Sequence, residues 1–519
     1  MSIVLKQTFR RVFDLSHMKS VIWFLWAAML LTVPITSSPL MARLTSRSTV
    51  SPLASLPLLF LLLLWFVPYV LRGEKVSRSS LLLIIFVGVA LLSCALVPFY
   101  GIEPYMGQTA IGRTLRALVT LIIGVGFYFI AAHYPRSESE LRGSLKWIYL
   151  GALLMLIWAS VQIYFVRRGT GIPIWAWKLH RYISIRDMHK FRVTGLAYEP
   201  SWMANQMVIL YLPLWISSLV HGYSICRLKI LKIPVEFLLL LWSAVVLFFS
   251  LSRIGLLNAV VILIAVAVAY GGRLVRRLTD FIRKRFQLPE DKWIKNGRDA
   301  LSRLVWVVLV VFILLSIFTV TFIACKTDYR IARLFKAEYF QIIQEHPDPI
   351  YEIARRQGYA ERLAYWTVGF KVFETYPLLG AGLGDTGFFY LKMLPAYGYR
   401  LPETIRIVNG SPQFPNPKNF WIRLLAETGI VGFLVFLLWL ILMTRDAWSL
   451  YKKGKGLQVV VGFAGLLALL AQILEGFSLD TFALPQLWIM LGLLTATCSI
   501  RNASHSSPAG ISRKLENSE

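Results

Sequence analysis

The stretch from Pro415 to Met443 reads PNPKNFWIRLLAETGIVGFLVFLLWLILM. Two prolines and a Lys-Asn pair open it, Arg423 and Glu427 follow, and no further charge occurs before Arg445. A helix over this stretch is long enough to cross a hydrocarbon layer, which takes about 20 residues. Such a helix needs no polar opening to enter a membrane. The crowding of Lys418, Asn419, Arg423 and Glu427 into its first turns therefore asks for a function.

Comparable apolar runs recur along the chain, beginning near residues 20, 52, 81, 113, 146, 201, 234, 254, 304, 419, 457 and 482. They make about twelve spans. Hydrophobic residues are 57% of the 519, above the roughly 45–50% of soluble domains. A barrel would show alternating strands of about ten residues, and the sequence has none. Helices satisfy their own backbone hydrogen bonds in lipid, so the fold class is an all-α polytopic membrane protein with about twelve transmembrane helices.

The formal net charge is +28, from 55 Lys and Arg against 27 Asp and Glu. In a soluble chain that balance suggests nucleic acid. Here the basic residues fall in alternate connections: the N-terminus, RGEKVSR, HYPRSESELRGSLK, HGYSICRLKILK, the segment from GGRLVRR to DALSR, TRDAWSLYKKGKG and the tail. The positive-inside rule puts these in the cytoplasm, with both termini, and no nucleic-acid partner is expected. The even number of spans agrees. The basic start followed by VIWFLWAAMLLTVPI lacks a convincing cleavage site and reads as an uncleaved first helix.

The resulting division is a cytoplasmic N-terminus (1–19), spans one to nine (20–325), a large extracytoplasmic, periplasmic loop (326–418), spans ten to twelve (419–499) and a disordered cytoplasmic tail (500–519). The loop of roughly ninety residues is too long for a simple linker. Cys94, Cys226, Cys325 and Cys498 show neither metal-ligand spacing nor a disulfide framework, and no metal or cofactor is expected.

A second outer connection, from about Arg167 to Pro200, carries Arg167, Arg168, Lys178, Arg181, Arg186, Lys190 and Arg192. Basic residues on that side run against the positive-inside bias, and an anion such as phosphate, pyrophosphate or an acidic sugar would explain them.

Four constellations carry chemistry. In FRVTGLAYEPSWMANQM (191–207), Glu199-Pro200-Ser201 marks the mouth of the sixth span. It reads either as a helix start with Ser201 near the cap, or as a carboxylate poised to act as acid, base or sugar ligand. In FFSLSRIGLLNAVV (248–261), Arg253 follows a very short outer turn. It either snorkels or pairs with an anion, for which a lipid-linked phosphate suits its planar fork.

In YAERLAYWTVGFKVFETYPLLGAGLGDTGFFY (359–390), Leu363, Trp366, Phe370 and Phe373 recur at helical spacing, predicting an amphipathic helix that ends before Pro377. The Gly382-Gly384-Gly387 pattern after it has no preceding strand, so it reads as a close turn rather than a dinucleotide site. In the opening stretch, Arg423 and Glu427 share a face and form an internal ion pair on the plainest reading, while Lys418 precedes the helix and is free to point into a cavity.

Taken in order, EPSWMAN, SLSRIG, RLAYWTVGFKVFETYPLLGAGLG and KNFWIRLLAETGIVGFLVF resemble the O-antigen polymerase and ligase superfamily, the Wzy-type polymerases and O-antigen-ligase-like glycosyltransferases of the bacterial envelope. The resemblance covers roughly residues 190–440. It implies a GT-C-like fold in the bacterial inner membrane. It also implies metal-independent glycan transfer from an undecaprenyl pyrophosphate carrier at the outer face.

On this chain the resemblance maps Arg253 and Arg362 as pyrophosphate ligands. Glu199 and Lys418 complete the candidate catalytic set, and Arg192, Ser201, Tyr365, Asn419, Arg423 and Glu427 are candidate substrate-binding residues. The implied partners are the lipid-linked oligosaccharide and membrane lipids, with a chain-length regulator or export machinery as a further candidate. Ligase-like members usually carry a histidine where this chain has Lys418. A lysine holds phosphate well but is a poor base unless its pKa falls, which favours a polymerase of repeat units. The alternatives are an O-antigen ligase or protein oligosaccharyltransferase and, from another class, a polytopic transporter or flippase. Against the last, the sequence shows neither internal repeats nor polar broken helices near the midplane.

Overall fold

The computed structural model describes residues 18–45, 50–168, 171–286, 302–308, 339–411 and 413–506, with isolated positions between 311 and 332. They fall in two compact units, one within Met1–Gly255 and Tyr359–Glu519, the other within Leu256–Gly358.

Among the described residues, seven helices have the length and apolar composition to cross a membrane: Arg78–Tyr100, Ala110–His133, Glu138–Arg168, Pro200–His221, Arg253–Arg273, Phe420–Lys453 and Leu457–Glu475. Lys19–Leu31, Ser55–Leu71 and Val235–Ser250 are shorter apolar helices. Each begins close to a predicted span; only Glu138–Arg168 starts well ahead of its expected position. The helix Pro485–Ser506 falls where the twelfth span is expected. The ninth, expected from about residue 304, and the tail beyond Ser506 lie largely outside the described residues. The only strand pair described is Lys229–Ile230 with Ile233–Pro234, a two-residue hairpin in a connection.

Proline explains two local departures from α-geometry. Pro68 and Pro213 have no N–H and crowd the carbonyl four residues earlier, and π-turns at Leu62–Phe66 and Met207–Tyr211 absorb the conflict in both places. Small residues allow close helix contacts. A Cβ at Gly492 would stand 2.7 Å from the Tyr128 carbonyl, and one at Gly124 would stand 2.3 Å from the carbonyl of Phe482, in the connection just before Pro485. The helices Ala110–His133 and Pro485–Ser506 therefore meet backbone to backbone.

In the first unit, alternate connections gather at the same end. At one end Ile185 N–H donates to Ser37 O (3.1 Å), Val193 N–H to Phe249 O (3.2 Å) and Tyr100 OH to Gly380 O (3.3 Å). Lys392 meets Glu103 there at 3.0 Å. At the other end Ser79 bonds Asp446 (2.6 Å), Ser77 N–H donates to His133 (3.1 Å) and Arg501 to Ser449 (3.2 Å). The first set of connections is the one the charge pattern assigns to the outside, the second the one it assigns to the cytoplasm.

The helix predicted to end before Pro377 spans Ala360–Thr375. Its apolar stripe is not its packing face. Ala364, Tyr365, Val368 and Val372 are buried, whereas Phe370 is 49% exposed and Leu363, Trp366 and Phe373 are half-buried. Small and β-branched residues let this helix approach the Phe420 helix closely, and the bulky stripe is left partly exposed, with Trp366 packing on Phe477. In the second unit, Asp348 caps Pro349–Arg356 by accepting from Tyr351 N–H (3.1 Å), and Glu352 binds Arg355 and Arg356, both at 2.8 Å.

Candidate active site

The site is built around the start of Phe420–Lys453. Asn419 caps that helix, its side-chain oxygen accepting from Trp421 N–H (2.9 Å) and Ile422 N–H (3.1 Å). Asn419 is fully buried, and its amide NH2 has no hydrogen-bond partner among the described residues. The helix is broken at Gly429 (φ 63°, ψ −171°). Its freed amides do not go unsatisfied: Ile430 N–H donates to Pro377 O (2.8 Å) and Val431 N–H to Leu378 O (3.3 Å). The glycine-rich turn after the Ala360–Thr375 helix thus plugs into the break. Ala381 N–H bonds Ala426 O at 2.9 Å, and a Cβ at Gly380 would strike the Glu427 backbone at 2.4 Å.

Lys418 adopts φ 49°, unusual for a side chain with a Cβ. Two other segments hold it there: Asp480 accepts from its N–H at 3.0 Å, and Arg362 donates to its carbonyl at 3.2 Å. Its ammonium is ion-paired with Glu403 and lies 4.4 Å from the centre of the Tyr365 ring. The expectation that Lys418 points freely into a cavity is therefore corrected. A lysine with a half-buried stem takes the nearest carboxylate and ring face once the loop folds over it. Tyr365 hydrogen-bonds Glu403 and stacks on Tyr390 at 4.6 Å; burial, with Glu403 second, pushes its phenol far above the usual range.

Arg362 spends its guanidinium on backbone. It reaches the carbonyls of Phe477 and Ser478 as well, both at 3.3 Å, and no carboxylate lies within ion-pair distance of it among the described residues. Its positive charge is thus tied in place without being neutralised. Arg423 forms the expected pair with Glu427 (2.8 Å) and also donates to the Asp480 carbonyl. Glu427, 2% exposed, accepts from Thr386 at 3.3 Å too.

Arg253 follows a turn in which Leu251 has φ 47°, and Arg192 fastens that turn by donating to Ser250 O (2.9 Å) and Leu251 O (3.1 Å). The Arg253 guanidinium lies 4.3 Å from the centre of the Tyr359 ring. Tyr359 is the residue before the Ala360–Thr375 helix, so Arg253 stands against the helix end that carries Arg362. Glu199, not Ser201, occupies the cap position before Pro200. It is paired with Arg186 and accepts from the Ser201 hydroxyl at 3.3 Å. Beside it, Arg186, Asp187, His189, Lys190 and Tyr198 line a cavity of about 540 Å³. The sixth-span helix touches the Arg253 turn where a Cβ at Gly255 would lie 2.5 Å from Ala204.

The structure thus brings Arg362, Tyr365, Lys418, Asn419, Arg423 and Glu427 into one contiguous cluster, reaches Arg253 and Arg192 through Tyr359, and sets Glu199 and Ser201 in a neighbouring cluster with Arg186. Sequence reasoning missed Glu403, Asp480, Asp385 and Arg113. An acid in the short outer connection 476–484 was a signal for Asp480. Nothing marked Glu403 among the acids of a long loop. Asp385 is fully buried, with one oxygen accepting from Thr114 at 2.6 Å and the other without a partner among the described residues. Burial pushes its carboxyl up to about 8. Arg113 lies 4.4 Å from the centre of the Phe414 ring. Cations held at a tyrosine-lined mouth can bind an anion, and carboxylates beside them can accept a proton or hold sugar hydroxyls.

A bundle of helices, seven of them among the described residues long and apolar enough to cross a membrane, with arginine and lysine fixed at one end, defines a polytopic membrane protein. Residues 238–437 match the family model described as O-Antigen ligase, which supports the resemblance to the O-antigen polymerase and ligase superfamily. The match includes Arg253, Arg362, Lys418, Asn419, Arg423 and Glu427, and it supports membrane glycosyl transfer of the ligase or polymerase type. The comparison with curated proteins gave no match.

Proposed function

We propose that the protein polymerises oligosaccharide repeat units carried on undecaprenyl pyrophosphate, at the outer face of the bacterial inner membrane, for O-antigen, capsule or exopolysaccharide. The observation that carries the choice of polymerase is Lys418. It stands where ligase-like members carry histidine, and it is charge-paired with Glu403. An ammonium so paired suits binding of an anionic donor rather than removal of an acceptor proton.

In this reading Arg253, Arg362 and Lys418 hold the pyrophosphate, whose charge grows as the glycosidic bond breaks. Arg423, Glu427 and Asn419 fix the helix start from which Lys418 projects. Glu199, Ser201, Arg192 and Tyr365 contact the glycan or order the segments that do. The donor is already activated, so the protein supplies position and charge stabilisation, with no cofactor or metal in the scheme. A single displacement inverts the anomeric centre; retained configuration in the product excludes it.

The break at Gly429 is the one observation that favours a transporter, because broken helices bind ions through freed backbone groups. Here Pro377 and Leu378 occupy the freed amides, and Ser93 donates to the Glu427 carbonyl at 2.7 Å. That satisfaction supports a structural joint. Purified protein given only its lipid-linked oligosaccharide is expected to yield a ladder of longer chains, which Arg253→Ala and Arg362→Ala abolish. Reaction only after addition of an acceptor lipid or protein would identify a ligase or oligosaccharyltransferase instead. An unchanged ladder in both variants would remove the arginines from the site.

A further inference from the structure

Transfer to a sugar hydroxyl needs a group that takes the hydroxyl proton as the new bond forms. The carboxylates of the site differ in what they already hold. Glu427 is buried between Arg423 and Thr386, and Asp385 is buried against Thr114. The Asp480 carboxylate caps the Lys418 amide, and Glu199 is paired with Arg186 in the neighbouring cluster. Glu403 keeps 20% of its side chain exposed while touching both Lys418 and Tyr365. Arg362 bonds the Lys418 carbonyl, so this carboxylate stands beside two of the candidate phosphate ligands.

We infer that Glu403 is the general base of the transfer. The inference rests on the proposed glycosyl transfer and names a residue of that site. The acceptor hydroxyl gives its proton to the Glu403 carboxylate, and its oxygen bonds the anomeric carbon of the donor. The bond from that carbon to the pyrophosphate oxygen breaks, its electron pair leaves with the pyrophosphate, and the arginines stabilise the charge. Lys418 orients the carboxylate, and the buried, stacked Tyr365 and Tyr390 back the Lys418–Glu403 pair.

The test compares Glu403→Gln with the wild type on two acceptors, the natural repeat unit and an analogue whose reacting hydroxyl is a thiol. A thiol ionises near pH 8.5 and needs little help from a base. Glu403→Gln is expected to lower turnover on the hydroxyl acceptor by about 10²–10⁴-fold. It should leave the thiol acceptor close to wild type and donor affinity retained, because Lys418 keeps its charge. Glu361, which also acts electrostatically on Tyr390, supplies the control: Glu361→Gln should leave both reactions unchanged. Equal losses on both acceptors would make Glu403 a structural partner of Lys418 and overturn the inference. So would an active Glu403→Gln, or the thiol-selective pattern in Glu361→Gln. A wild type that forms no glycosidic bond from the donor overturns the proposed function itself, a failure distinct from that of the base.

Discussion

Lys418 pairs a strained backbone with a held charge. The left-handed conformation costs about 1–2 kcal/mol for a residue with a Cβ, and the contacts from Asp480 and Arg362 offset it. Replacing the ammonium leaves Glu403 half-buried without its cation. Lys418→Met is therefore expected to lower stability by about 1–3 kcal/mol, measurable as a lower thermal midpoint in detergent. Lys418→His is expected to bind the pyrophosphate donor poorly at pH 8 and to recover binding below about pH 6, because imidazole carries its charge only there. A donor titration across pH would show it; pH-independent binding would exclude Lys418 as a phosphate ligand. Asp385 titrates with the opposite consequence. Its folded-state carboxyl, pushed up to about 8 by burial, keeps a proton that the unfolded chain has already lost. Its contribution to stability therefore falls as pH rises from about 4 to about 8. Asp385→Asn keeps an oxygen for Thr114 and should flatten that decline in thermal midpoint between pH 5 and 8.

At the scale of elements, the decisive feature is the joint between the broken Phe420–Lys453 helix and the glycine-rich turn. Gly429→Ala would set a Cβ 2.2 Å from the Leu378 carbonyl at a positive φ. The cost should exceed about 2 kcal/mol and appear as loss of folded protein in a detergent melt, whereas Gly88→Ala, with open space around it, should be neutral. The existence of the helix at 360–375 and its end before Pro377 were legible, because periodicity and proline are local signals. The choice of packing face was not. In water the apolar stripe turns inward, but at a membrane bulky apolar groups are also stable facing outward, so hydrophobicity stops specifying the buried side.

At the scale of the molecule, within the first unit, the charge pattern and the contacts between connections agree on which loops share an end. Single cysteines at the exposed positions Glu103 and Lys392, in a chain with Cys94, Cys226, Cys325 and Cys498 replaced by alanine, are expected to react with an impermeant maleimide on intact cells. Cysteines at Arg136 and Lys452 should react only after permeabilisation. Labelling of all four from outside would refute the topology. The candidate cations were legible because a charge at a span's end stands out against an apolar background. Their states were not: Arg362 and Arg192 bond to carbonyls, Arg186 to Glu199, and Lys418 to Glu403. These partners lie from 13 residues away, for Arg186 and Glu199, to 116, for Arg362 and Ser478, and no spacing rule links them.

The sequence by itself determined a helical membrane protein, the alternation of its connections and the stretch where its chemistry gathers. Hydropathy and charge act on each segment through its own solvent, without reference to the rest of the chain. Only the tertiary structure decided that the Phe420–Lys453 helix breaks at Gly429, that Lys418 is gripped rather than free, and that Glu403 is the carboxylate beside it. Those outcomes depend on which backbone groups and charges the packed segments bring within a few ångströms of one another.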